Sequence, residues 1–443
     1  MAGISKEKLI VALSKQLKIL QGKDAVSRSL SVEELRSLKA FAYIAMEIKS
    51  SDGRVGYMSD KARAALEEAV SIVYEILQKE EYSLRATKQE VFSECRRVIG
   101  DHLIPEVVKL KGTQLVNSAY EALSPKVERH VFAMPLHGLE VDGLDRWEVG
   151  SFFLSKPDKS LLDVCRGDVR GDERIEMAWA RMQNGVWLCG AAVGTTNFAE
   201  KDFFTGGNKI ISALAIAFSL GHDKGAASMR IGITTERPRN WFGYGEVQRS
   251  LRVSWHMGGS SAVRCSQDHM VELRDQTDWF MPLVKTLLEE EPTELESAMQ
   301  RAAHWFRDAQ SDADLDMRFL KFWSCIECFF SIDRGKTTNQ IIDGLSAVLI
   351  HGGLRLSAPD DWKALRKSID KLYTLRSEAV HDARHGHISF EDVVTVSTWA
   401  AAVIVSMGAL HQQGYTTRKE LQEQINRLTA ISSRVNSQGG SKS

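Results

Sequence analysis

"LYTLRSEAVHDARHGH", residues 372–387, decides how the C-terminal third of this chain is read. Leu372, Tyr373, Arg376 and Val380 recur at helical spacing, which predicts a helix with an arginine on its apolar face. A charge in that position needs a partner or a task, because an unpaired charge out of water is strongly unfavourable. His381 follows five residues later, and histidine is the side chain that ordinarily titrates nearest neutral pH. The spacing alone decides nothing, since it recurs from Arg96 and Arg97 to His102 and from Arg264 to His269.

Context separates Arg376 and His381 from those pairs. "WKALRKSIDKLYTLR" (362–376) carries Lys363, Arg366, Lys367, Lys371 and Arg376 against Asp370 alone, which is 5 − 1 = +4. Lys363, Lys367 and Lys371 step by four and share a face that a phosphate backbone would favour. The same row is also what a solvated surface helix displays. An earlier segment, "MRFLKFWSCIECFFS" (317–331), predicts an aromatic helix with Glu327 on the side of Leu320, Trp323 and Phe330. Two helices thus each offer one charge, of opposite sign, on an apolar face. A Glu327–Arg376 pair satisfies both, either as structure alone or as a means of aiming the arginine.

"FLKFWSCIECFFS" followed about fifty residues later by "LYTLRSEAVHD" resembles the HEPN superfamily, most closely its Apea-like branch, over about 293–412. The resemblance implies an all-α HEPN-type bundle and a metal-independent endoribonuclease without cofactor, often a toxin or antiviral-defence effector. Its site would be composite, built by a homodimer. Carried over by residue, Arg376 and His381 would be catalytic, with Glu327 and Ser377 in support. Ser377 departs from the Asn, Asp or His common there in active members. The chemistry would be attack of the RNA 2′-hydroxyl on the adjacent phosphodiester. Histidine would move protons and arginine would neutralise the phosphorane. Two other readings stay open: a non-catalytic module for RNA, nucleotide or protein, and a partner of a nucleotidyltransferase through Tyr373. His385 and His387 read as exposed loop residues, and no metal site is expected around them.

The whole chain reads as a multidomain α+β protein. Residues 1–125 are expected to be helical, with a capping box at Ser31 and Glu34 and a second helix start at Ser59 or Asp60. Residues 129–290 form an α+β middle, read as sensor or regulatory. Its strands are expected at "RHVFAMPLHGLEVDG", "RWEVGSFFLS", "GVWLCGAAVG", "MRIGITTE" and "SLRVSWHMGG", with one helix at 208–221. From 293 to 434 helices are expected at 294–310, 314–332, 337–351, 361–380, 390–411 and 417–433. Thr293 with Glu296, Asp360 or Asp361, and Ser389 are the expected caps. The tail 435–443 reads as disordered.

A net charge of −1 excludes a globally basic nucleic-acid coat, though not a local basic cleft. Hydrophobic content of 43% and charged content of 26% fit a globular chain. The longest apolar run, "WAAAVIVSMGAL" (399–410), falls short of the roughly 18 residues a spanning helix needs. Six cysteines without a framework spacing read as reduced core thiols, and the expected location is cytoplasmic.

Overall fold

The computed structural model describes residues 5–22, 25–27, 46–104, 109–164, 171–221, 241–247, 250–254, 263–312, 314–331, 337–381 and 387–439. The chain divides into two compact units. The first comprises Met1–Val131, Ala191–Asp202 and Gly245–Arg249; the second comprises Phe132–Gly190, Phe203–Tyr244 and Ser250–Ser443.

The first unit begins with α1 (Lys6–Leu20), then β1 (Val26–Ser27), β2 (Met46–Lys49) and β3 (Val55–Met58), followed by α2 (Asp60–Leu77), α3 (Lys88–Leu103) and α4 (Gly112–Leu123). Leu9, Leu13, Leu17 and Leu20 bury one face of α1 among Leu66, Val70 and Val73 of α2. Ser59 caps α2 by accepting from the Ala62 amide. The expectation of a purely helical N-terminal region needs correction. β1, β3 and β2 form a three-stranded antiparallel sheet. These strands have two to four residues, too few for periodicity to register. The signal that was present is the turn chemistry of "SSDG" (50–53), where Gly53 adopts φ +84°. The expected capping box at Ser31 and Glu34 lies outside the described residues.

The strand-rich middle supplies β4 (Glu128–Leu136), β5 (Leu139–Asp142), β6 (Arg146–Val149), β7 (Phe152–Ser155), β8 (Val186–Gly194), β9 (Trp241–Gly245), β10 (Leu251–Ser254) and β11 (Val263–Ser266). Six of them form one sheet in the order β10-β9-β4-β8-β7-β6. β5 pairs in parallel with β11, Leu139 opposite Val263. "MRIGITTE" lies outside the described residues, and "SLRVSWHMGG" is described only through Ser254. Helices are more numerous here than the one expected: α5 (Ser160–Asp163), α6 (Gly171–Met182), α7 (Thr196–Leu220), α8 (Gln267–Asp275) and α9 (Phe280–Leu288). In α6, Ile175, Ala178 and Met182 are buried at helical spacing inside an otherwise polar segment. α7 starts twelve residues before the expected 208. Its Gly206 marks a close approach, since a Cβ there would lie 2.6 Å from the Phe152 ring.

The C-terminal helices are α10 (Glu294–Ser311), α11 (Leu315–Phe330), α12 (Thr337–His351), α13 (Trp362–His381), α14 (Phe390–Gln412) and α15 (Arg418–Gly439). Capping boxes at Thr293 with Glu296 and at Ser389 with Asp392 start α10 and α14. Asp360 and Asp361 sit in a 3-10 turn, Pro359–Asp361, that leads into α13. α14 is the core helix, with Val393, Val396 and Ala400 through Gly408 all buried. It holds the apolar run 399–410 within 23 residues. By length and composition α7 and α14 could each cross a membrane, yet 67% and 72% of their apolar windows are buried inside the protein. α15 continues to Gly439, where a disordered tail from 435 was expected. Extending an existing helix costs only the small propensity difference of each added residue, so a polar tail can follow it.

Candidate functional site

At 100° per residue α13 has two well-separated faces. Trp362, Leu365, Ile369, Leu372 and Ala379 are buried on one. Arg376 falls near the centre of that same sector. Lys363, Lys367 and Lys371 are exposed on the other. Asp370 is exposed and Glu378 half-buried in the lysine sector, so its local charge is smaller than the row of lysines implies.

Arg376 donates from Nη2 to Oε2 of Glu327 on α11 at 2.9 Å. The two side chains are 22% and 18% exposed. Among the described residues this is the one hydrogen bond the guanidinium makes. Tyr373, one turn earlier on α13, lies 5.8 Å from the guanidinium carbon and packs edge-on to Trp323 of α11 at 5.4 Å. An aromatic wall therefore flanks the ion pair on both helices. Burial raises the Glu327 carboxyl above its ordinary range, and the attraction of Arg376 only partly opposes this. Glu327 Oε1 and Trp323 Nε1, one turn apart on α11, are buried without hydrogen-bond partners among the described residues. Burial raises the Tyr373 phenol, with the Glu327 charge adding to it.

The other arginine of α13 is also neutralised. Arg366 pairs with Asp343 of α12 and lies over the Trp362 ring at 5.5 Å. Of the five cations counted in 362–376, the two arginines therefore serve helix–helix contacts and the three lysines face solvent.

α13 ends at His381. The side chain of His381 and all of Asp382 and His385 lie outside the described residues, while His387 is exposed. On the backbone, position 381 is about 140° around the helix and about 7.5 Å along it from position 376. It shares the azimuth of Lys363. The helix thus places the two motif positions in different sectors. Ser377 is half-buried.

No protein-family model, curated protein or solved structure matches this chain.

Cys325 is fully buried and donates to the Lys321 carbonyl. Burial raises its thiol well above the ordinary range, and burial also raises the thiol of the half-buried Cys328, with the Arg301 charge opposing that shift. Among the described residues no group of three His, Cys, Asp or Glu side chains could hold a metal ion. The pairing of Glu327 with Arg376 was legible from opposite charges on two apolar faces. The Arg366–Asp343 pair was not singled out, although Asp343 stands between the apolar Ile342 and Leu345 at a comparable setting. The edge-on Trp323–Tyr373 contact had no sequence signal beyond both residues being aromatic.

Proposed function

We propose that this chain is a metal-independent RNA endonuclease of the HEPN type, in which Arg376 stabilises the phosphorane and His381 moves protons. The observation that carries this reading is the setting of Arg376. One carboxylate oxygen fixes one guanidinium nitrogen, and about a fifth of the side chain stays open to solvent. A guanidinium fixed at one nitrogen keeps its other donors for a phosphate, and prior fixing lowers the entropy lost on contact. The separation of positions 376 and 381 on one helix supports a site completed by a second copy, each chain contributing one member. Lys363, Lys367 and Lys371 would hold the flanking RNA backbone. A role as toxin or antiviral effector, with a trigger acting through the preceding residues, follows the resemblance alone.

A second reading has its own observation. The Glu327 contact and the aromatic wall suffice to explain a buried arginine, which fits a non-catalytic RNA- or nucleotide-binding module. Purified protein incubated with total RNA in excess EDTA separates the two. The expected outcome is cleavage giving 2′,3′-cyclic phosphate ends, absent with His381→Ala and absent on DNA. Intact RNA with folded wild-type protein supports the second reading. Strict dependence on Mg²⁺ or Mn²⁺ removes the mechanism.

A further inference from the structure

The loop between α12 and α13 lines an open pocket of about 510 Å³, within the size range of small-ligand sites. Its lining includes Ile350, His351, Arg355, Leu356, Ser357 and Pro359. We propose that this pocket binds one nucleotide unit, a base with its ribose and phosphate.

The loop is held at two points. At Gly352 a Cβ would lie 2.4 Å from the Val348 carbonyl oxygen and 2.6 Å from the Ser406 hydroxyl of α14, so the chain is pressed against the core helix. The Ser357 amide donates back to the Leu349 carbonyl at 3.2 Å, closing the loop onto the end of α12. Between them Arg355 adopts φ +44°, a left-handed conformation that a residue with a side chain rarely takes. An observed backbone outlier on a well-anchored loop is a reason to look for function there.

The lining has two chemical halves. Leu356, Pro359 and Ile350 give apolar wall, and the His351 ring gives a flat surface against which a base can stack. Burial, with help from the Arg355 charge, lowers the His351 pKa, which favours the neutral ring suited to stacking. Arg355 and Ser357 offer a planar cation and a hydroxyl, which suit a phosphate. Pro359 opens the turn into α13, and the exposed lysines begin four residues later at Lys363. A nucleotide seated here could therefore be free or belong to an RNA strand continuing along α13. The strand source rests on the endonuclease reading; the free-nucleotide source does not.

Calorimetry on the full chain in EDTA tests the site with AMP, GMP, CMP and UMP, with the matching nucleosides and inorganic phosphate as controls. A dissociation constant of about 1 mM or tighter is expected for at least one nucleotide, with its nucleoside and phosphate alone each weaker by about tenfold. Arg355→Gly keeps the left-handed backbone at no steric cost, so the melting curve should hold while nucleotide affinity drops about tenfold or more. Displacement of the nucleotide by a short single-stranded RNA identifies the strand as the source, and its absence identifies a free nucleotide. The inference is overturned if no nucleotide binds wild type, if phosphate alone binds as tightly, or if Arg355→Gly binds unchanged. Because heat of binding is read without cleavage, nucleotide binding by a protein that cuts no RNA leaves this site standing. Cleavage without nucleotide binding removes this site and spares the endonuclease.

Discussion

Removing Glu327 strands Arg376 on the apolar face of α13. Losing one member of a fully buried ion pair costs about 3–5 kcal/mol, and an exposed pair is worth about 0–1 kcal/mol. With the two side chains 22% and 18% exposed, Glu327→Ala should cost about four fifths of the buried figure, or about 2–4 kcal/mol. The direction of the Glu327 shift adds a second half to the argument. Desolvation outweighs the attraction of Arg376, so the charged pair is not an efficient source of stability. Glu327→Leu combined with Arg376→Leu should therefore return to within about 1 kcal/mol of wild type. Urea denaturation of wild type, Glu327→Leu, Arg376→Leu and the double variant, followed by circular dichroism, gives the coupling, with Glu327→Ala measured beside them. A loss under about 1 kcal/mol for Glu327→Ala, or a double variant as unstable as the sum of the singles, refutes the reasoning. Arg376→Lys connects the cycle to function. It keeps the charge and loses the fork, so cleavage should fall while the fold holds; wild-type cleavage would reduce Arg376 to a counter-ion in the core.

Lys363, Lys367 and Lys371 changed together to Ala should leave the melting temperature unchanged, because all three are exposed. The plot of log affinity for single-stranded RNA against log salt should flatten by about 2, three phosphate contacts at about 0.7 each; an unchanged slope places the RNA elsewhere. For pH, the native state holds the Glu327 proton more tightly than the unfolded chain does, so deprotonation works against the fold. Relative to Glu327→Gln, wild type should lose stability as pH rises from below 4.5 and level off above the raised native value. Parallel stability–pH curves for the two proteins would remove that assignment.

The helical C-terminal portion was legible because its apolar residues recur over fifteen residues or more and its caps are spelled out by Thr293, Glu296 and Ser389. Pairing Glu327 with Arg376 needed only the rule that a charge on an apolar face seeks its opposite. Other features depend on contacts that local pattern cannot carry. β5 and β11 are joined across more than a hundred residues, so neither strand announces its partner. The pocket beside His351 depends on the reversal at Arg355 and the pressure of α14 on Gly352. "HGGLRLSAP" by itself reads as an ordinary glycine-containing loop. The separation of positions 376 and 381 was within reach of sequence reasoning. It follows from the helix running on through His381 rather than ending between the two.

The first unit is discontinuous, and this sets an order on biosynthesis. Its early helices leave the ribosome long before Ala191–Asp202 and Gly245–Arg249, which complete it. About 120 residues separate Val131 from Arg249, roughly 6–24 s of synthesis at ordinary elongation rates. During that interval the N-terminal helices exist without their last pieces. The helices bearing Glu327 and Arg376 emerge later still. Cutting the gene at residue 131 therefore yields an incomplete unit on one side and a fragment carrying surplus segments on the other. A nascent chain, by the same order, holds no assembled Glu327–Arg376 pair until Arg376 itself has been made, about fifty residues after Glu327.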